Sequence, residues 1–252
     1  MTKSSQDLEL TEEEWVQCSS LDRMLRYLNG KVSERKFRLT ECAFVRRFWN
    51  LLHDERSRRA IEVEERFADG LATEEELRVA CAHAETAFTE ICQACFPGGT
   101  PMRSFLGGAM SAAQHSAFSM WDFPKRPDGS GNMWNLVWIA TAAYPIGEGV
   151  AESDGFAAID AENANQALLL HEIFGNPFQL IQVDESLLHF NNEIVSKLVQ
   201  AIYDERRFDR MPELADVLLA AGCKNEEILA HCRGPKPHVP GCWVLDLMLG
   251  KR

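Results

Sequence analysis

Cys223, Cys232, His238 and Cys242 fall within twenty residues at the spacing Cys-x8-Cys-x5-His-x3-Cys. Four soft or borderline ligands so close along the chain have the donor set of a closed tetrahedral Zn²⁺ site. The spacing is similar to that of short Cys-Cys-Cys-His fingers with the last two ligand types exchanged. Pro235, Pro237 and Pro240 stiffen the intervening loop. A structural zinc ion there would tie a final helix carrying Trp243, Leu245 and Leu247 onto the helices before it. The competing reading is packing: Cys223 follows Gly222 at a helix end, Cys232 falls on an apolar helical face, and Cys242 precedes a core helix. Free cysteine is among the most buried residue types. On that reading His238 is a loop residue bonded to backbone carbonyls.

A second candidate is basic. Lys31 to Arg59 carries nine Lys/Arg against four Asp/Glu inside a chain of net charge −12. Arg46, Arg47, Arg56, Arg58 and Arg59 straddle a turn at residues 53–54, and their planar forks suit an acidic partner or a phosphate. The alternative is pairing within the chain, to acids at helical spacing such as Glu62, Glu64 and Glu65. Other features carry less. Cys92-x2-Cys95 lacks the βαβ context of a redox motif. Glu172 beside His171 has acid–base chemistry but no partner set by the sequence. The Asp54/Glu55 and Asp204/Glu205 pairs are read as helix-starting acids that meet free backbone N–H groups. The Gly-rich GEGVAESDG follows no strand and has no Lys-Ser/Thr, so it is no phosphate cradle, and the chain has no GxSxG, HExxH or kinase signature.

The elements that position these residues read as helices. Thr11 with Glu14 and Thr73 with Glu76 form capping boxes, and Asn29-Gly30, Asp69-Gly70 and Gly175-Asn176-Pro177 are stops. Ser33 opens a long helix whose apolar stripe runs Phe37, Cys42, Val45, Trp49 and Leu52, with Arg35, Lys36, Arg38, Arg46 and Arg47 largely outside it. Asp54 starts the next helix, to Ala68, and Thr73 a further one, to Phe96. Asp160 begins another, through Phe174. Helices follow at about 185–190, 191–206, 212–221, 225–232 and 242–249. Residues 178–183 are the one strand-like run, expected as an extended connector. Between these halves lie a small-residue helix at 102–120, a loop at 122–132, a helix with Trp134 and Trp138, and a loop at 146–155. The expected fold is all-α: an irregular multi-helix bundle of ten or more helices. Residues 1–10 form a flexible tail and 11–252 one helical domain, with a sub-division into 11–120 and 160–252 as the alternative. A weak internal echo relates 54–77 to 204–229.

Apolar residues are 46% and charged residues 25% of the 252, the balance of a soluble globular chain with a sizeable core. The polar, acidic opening lacks a secretory h-region, and the longest apolar-rich window, Met133 to Tyr144, is too short for a bilayer. These features predict a cytoplasmic protein with its eight cysteines reduced. The negative charge opposes broad nucleic-acid or anionic-membrane binding.

Several tracts carry a resemblance: TEEEW, GKVSERKFRL and RRFWNLLHDERSRRAIEVEERFADGLATEEEL, then HEIFGNPF, AIYDERRFDRMPELADVLLAAGC and HCRGPKPHVPGCWVLDLMLGK. In this order they resemble blocks of a large paralogous family of uncharacterised bacterial proteins, in which they flank a variable middle. The resemblance covers roughly residues 11–80 and 168–252 and implies no activity, substrate or cofactor. It implies a basic residue commonly at the position of Pro240 and, in some relatives, an apolar one at Cys232.

The functional expectation is a non-catalytic helical interaction or adaptor protein with a protein partner. One alternative is a zinc-stabilised module using Cys223, Cys232, His238 and Cys242. The other is an enzyme with a pocket between the 102–120 and Trp134/Trp138 helices.

Overall fold

The computed structural model describes residues 10–52, 54–95, 152–235 and 237–251. The 102–120 and Trp134/Trp138 helices, the 122–132 loop, residues 146–151 of the second loop and residues 1–9 of the tail lie outside these, whereas residues 152–155, expected as loop, are helical. Among the described residues the fold is all-α, with eleven α-helices, two 3₁₀ turns and no strand. No described helix is long and apolar enough to cross a membrane. The chain groups into two compact units, divided between Ala167 and Leu168.

In the first unit, α1 (Glu12–Gln17) opens on the Thr11 capping box: Thr11 Oγ1 accepts from the Glu14 amide and Glu14 Oε2 from the Thr11 amide. Helix α2 (Leu21–Leu28) buries Leu21, Met24, Leu25 and Leu28, and ends before Gly30 at φ +72°. Helix α3 (Glu34–Arg46) is capped by Ser33. It is shorter than its apolar stripe predicts, ending at Arg46 and tightening into a 3₁₀ turn at Trp49–Leu51. Tertiary ion pairs compete with the stripe here. Arg46 turns to Glu65 and Arg47 to Glu162, while the Arg46 guanidinium lies 4.5 Å over the Trp49 ring. Nor does Arg38 stay outside the core. It is 4% exposed, donating to Glu34 at 2.6 Å and to the fully buried Glu64 at 2.6 Å.

Helix α4 (Glu55–Ala68) starts on Asp54, whose carboxylate accepts from the Arg56 amide. It packs against α3 and, through Ala60 and Val63 meeting Leu77, Ala80 and Ala84, against α5 (Glu74–Cys95). Helix α6 (Glu152–Phe174) begins eight residues before the expected Asp160 start. Its last two turns, from Leu168, belong to the second unit.

The second unit continues from Gly175 through an extended connector without strand pairing to α7 (Glu185–Leu188), α8 (Phe190–Asp204), α9 (Met211–Ala220), α10 (Glu226–Arg233) and α11 (Trp243–Leu249). Helix α8 opens with Asn191, Asn192 and Glu193 all at positive φ, a left-handed turn that short polar Asn side chains tolerate best. Asp204 and Glu205 end α8 rather than starting a helix, because Arg206 turns left-handed at φ +55°. The echo with Asp54/Glu55, which do start α4, breaks at this point. One core joins α8, α9, α10 and α11 through Val195, Val199, Ile202, Met211, Leu214, Leu218, Ile228, Leu229, Val244 and Leu245. Each such side chain contributes about 1.5–3 kcal/mol by leaving water. That core fixes the last turn of α10 and the first of α11, the two ends from which the candidate site is built.

Candidate metal centre

Asn225 caps α10, accepting from the Ile228 amide at 3.0 Å. Ile228, Leu229 and Cys232 then form its buried face. His231 sits one residue round from Cys232 and is half-buried at the helix edge. Gly234 ends the helix, and the Pro-rich loop returns His238 to the same end. The Cys242 amide donates to Val239 O at 3.0 Å, and its carbonyl accepts from Asp246 N, which places Cys242 at the start of α11. Glu172 arrives from the last turn of α6, which Gly175 closes at φ +58°.

One ligand atom from each of Glu172, His231, His238 and Cys242 lies within 4.8 Å of the other three. Glu172 Oε1 is 2.9 Å from His238 Nδ1, and Oε2 is 3.3 Å from His231 Nε2. His231 Nε2 is 3.1 Å from Cys242 Sγ. On its other side, the indole N–H of Trp243 donates to His231 Nδ1 at 2.9 Å. Bond lengths of 2.0–2.3 Å place tetrahedral ligands about 3.3–3.8 Å apart, so an ion would need the nearest atoms, 2.9 and 3.1 Å apart, to spread and any near the 4.8 Å limit to close in.

The cluster is nearly closed to solvent. Glu172 is 1% exposed, the His231 and His238 side chains 9% and 5%, and Cys242 is fully buried. Among the described residues, His238 Nε2 is buried with no hydrogen-bond partner, an orphan that costs about 1–3 kcal/mol, while Glu172 Oε2 has only the long 3.3 Å approach of His231 Nε2. Burial pushes the Glu172 carboxyl up, but hydrogen bonds and charge from His231 and His238 outweigh it, leaving its pKa below the ordinary value. The Cys242 thiol is held well above its ordinary pKa, first by burial and then by the Glu172 charge.

These facts separate two chemistries. Cys242, His231 and Glu172 have the types and order of a nucleophile, base and orienting acid. A nucleophilic thiol needs access and a lowered pKa, and Cys242 has neither. A buried thiol, two imidazoles, one of them with an unpartnered Nε2, and a carboxylate suit a structural cation instead, one that would itself favour the thiolate.

Of the four ligands expected from the sequence, His238 and Cys242 belong to this group. Cys223 and Cys232 do not: both are packed in the apolar core, and burial lifts the Cys232 thiol to about 12. Glu172 and His231 take their places. The available signal was His231-x6-His238-x3-Cys242, together with the helical face that turns Cys232 inward.

The five arginines each meet a carboxylate of the first unit. Arg46 pairs bidentately with Glu65, Arg47 with Glu162 at 2.6 and 2.8 Å, and Arg56 with Asp54 at 2.8 Å and Glu90 at 2.5 Å. Arg58 meets Glu55 at 3.1 Å and Arg59 meets Glu62 at 3.6 Å. Pairing within the chain therefore describes this basic stretch, although Glu64 serves Arg38 instead. Cys92 and Cys95 fall at the end of α5, and the six other cysteines are free thiols.

No family model matches the chain, and no curated protein or solved structure is similar to it.

Proposed function

We propose that this is a cytoplasmic, non-catalytic helical module whose second unit is held in shape by one structural metal ion, Zn²⁺ by preference. Glu172, His231, His238 and Cys242 supply the ligands. The observation that carries this reading is the convergence of four ligand atoms within 4.8 Å, drawn from α6, α10, the Pro-rich loop and α11, in a cluster closed to water. One thiolate, two imidazoles and one carboxylate suit zinc better than the all-oxygen preference of magnesium or calcium. The ion would hold the end of α6 to the α10–α11 turn, a shape-setting role that fits an interaction or adaptor protein. A reducing cytoplasm keeps the thiol ligand available.

The test is the metal content of full-length protein purified without chelator. About one zinc per chain, with a thermal midpoint that falls on chelation and returns with Zn²⁺, is expected. Metal-free protein whose midpoint does not respond to added Zn²⁺ overturns the reading.

A further inference from the structure

Trp243 stands next to the cluster and contributes no ligand. Its indole nitrogen is a donor only, and it points at His231 Nδ1 from 2.9 Å. Nδ1 must therefore present a lone pair, and a neutral His231 then carries its proton on Nε2. That N–H faces two acceptors, Cys242 Sγ at 3.1 Å and Glu172 Oε2 at 3.3 Å. The arrangement is self-consistent without an ion, but it occupies with a proton the very nitrogen that faces the other ligands.

Ligation through Nε2 needs the opposite tautomer. Coordination would need the Nε2 lone pair, and a neutral imidazole that offers it has its N–H at Nδ1. Nδ1–H would then oppose the indole N–H across 2.9 Å, donor against donor, so the two rings must part. The indole is closely held on its other side, where Gly175 leaves room for it only by lacking a Cβ. The rings meet edge to face with centroids 5.1 Å apart.

We propose that Trp243 is a positioning residue that holds His231 in its metal-free tautomer, so that loading of the centre breaks the Trp243–His231 hydrogen bond and shifts the indole. The proposal rests on the metal reading above and adds to it a built-in opposition to loading. The ion enters only where its gain exceeds the loss of this bond, and weaker-binding divalent ions are disfavoured.

The experiment is a zinc titration of full-length wild type and Trp243→Phe, each first stripped with chelator, with the indole N–H resonances followed by ¹⁵N nuclear magnetic resonance. Phe keeps the ring packing and removes the donor. Expected are zinc binding roughly two- to tenfold tighter in Trp243→Phe, and, in wild type, movement of the one indole resonance that the variant lacks. Equal or weaker binding by a folded variant, with that resonance unmoved in wild type, overturns the Trp243 proposal and leaves the metal centre standing. If Trp243→Phe fails to fold, the wild-type resonance decides alone. Failure of wild type to take up zinc overturns both.

Discussion

A Cβ added to Gly175 would lie 2.9 Å from Cγ of Trp243 and 3.0 Å from Cδ2, with the backbone already at φ +58°. The atoms met are the root of a packed indole, not the tip of a flexible chain. Gly175→Ala therefore combines overpacking with left-handed strain and should destabilise the second unit by about 2–4 kcal/mol. Gly30→Ala, at φ +72° with nothing within 4 Å, should cost only the backbone component, about 1–2 kcal/mol. Urea unfolding of the two variants followed by circular dichroism checks both values. Equal costs would show that the Trp243 contact is not limiting.

His231→Ala and Cys232→Ser are adjacent substitutions with opposite expectations. The first removes a ligand and should abolish stoichiometric zinc binding. The second leaves the four ligand atoms intact and should keep it, while costing about 1–3 kcal/mol for a hydroxyl placed in the apolar core. Metal analysis of the purified variants decides. Loss of zinc from Cys232→Ser alone would restore the ligand set suggested by cysteine spacing.

Much of the fold was legible because helix boundaries are local chemistry. Thr11 and Glu14, Ser33, Asp54, and Thr73 and Glu76 make the capping bonds that their types and spacing predict, while Gly30, Gly70 and Gly175 adopt the positive φ that their positions call for. The exceptions are tertiary. The stripe through Trp49 and Leu52 continues past Arg46, but the helix ends there, where Arg46 and Arg47 pair with Glu65 and Glu162, partners distant in sequence. The candidate site was half legible for the same reason. His238 and Cys242 lie in one loop, and their proximity shows in the spacing. Glu172 is 66 residues from its His238 partner, and only the packing of α8 to α11 brings them together.

Burial pushes the Glu64 carboxyl up to about 7, outweighing Arg38, and its Oε2 has no hydrogen-bond partner. An acid whose pKa is higher folded than unfolded binds more protons in the folded state between about 4.5 and 7. Stability from this group is thus full below about 4.5 and is lost as pH rises through 7, by about 3 kcal/mol in all. Glu64→Gln should flatten that slope while weakening the buried pairing of Arg38, to which Glu64 is bonded at 2.6 Å. Denaturant midpoints at pH 5, 6, 7 and 8 measure the effect; parallel curves for the two proteins would sink it.

Arg47 and Arg59 both touch a glutamate, yet their worth should differ. Glu162 has an 8% exposed side chain and, among the described residues, keeps the Gln166 amide at 3.1 Å once Arg47 is gone, so Arg47→Ala should cost about 2–4 kcal/mol. Arg59 is 62% exposed and 3.6 Å from Glu62, and its removal should change stability by less than about 0.5 kcal/mol. Paired urea titrations at low and high salt would show whether burial or simple contact sets the scale.

The Glu172–His238 contact spans 66 residues. Bringing the ends of so long a segment together costs about 4 kcal/mol of chain freedom in flexible polymer terms, unless the material between is already folded. Four helices, α7 to α10, occupy that interval and shorten it before the ends meet. On that ground the four side chains should come together only after those helices have formed, and an ion captured by them would certify a completed fold much as a seal certifies a closed vessel.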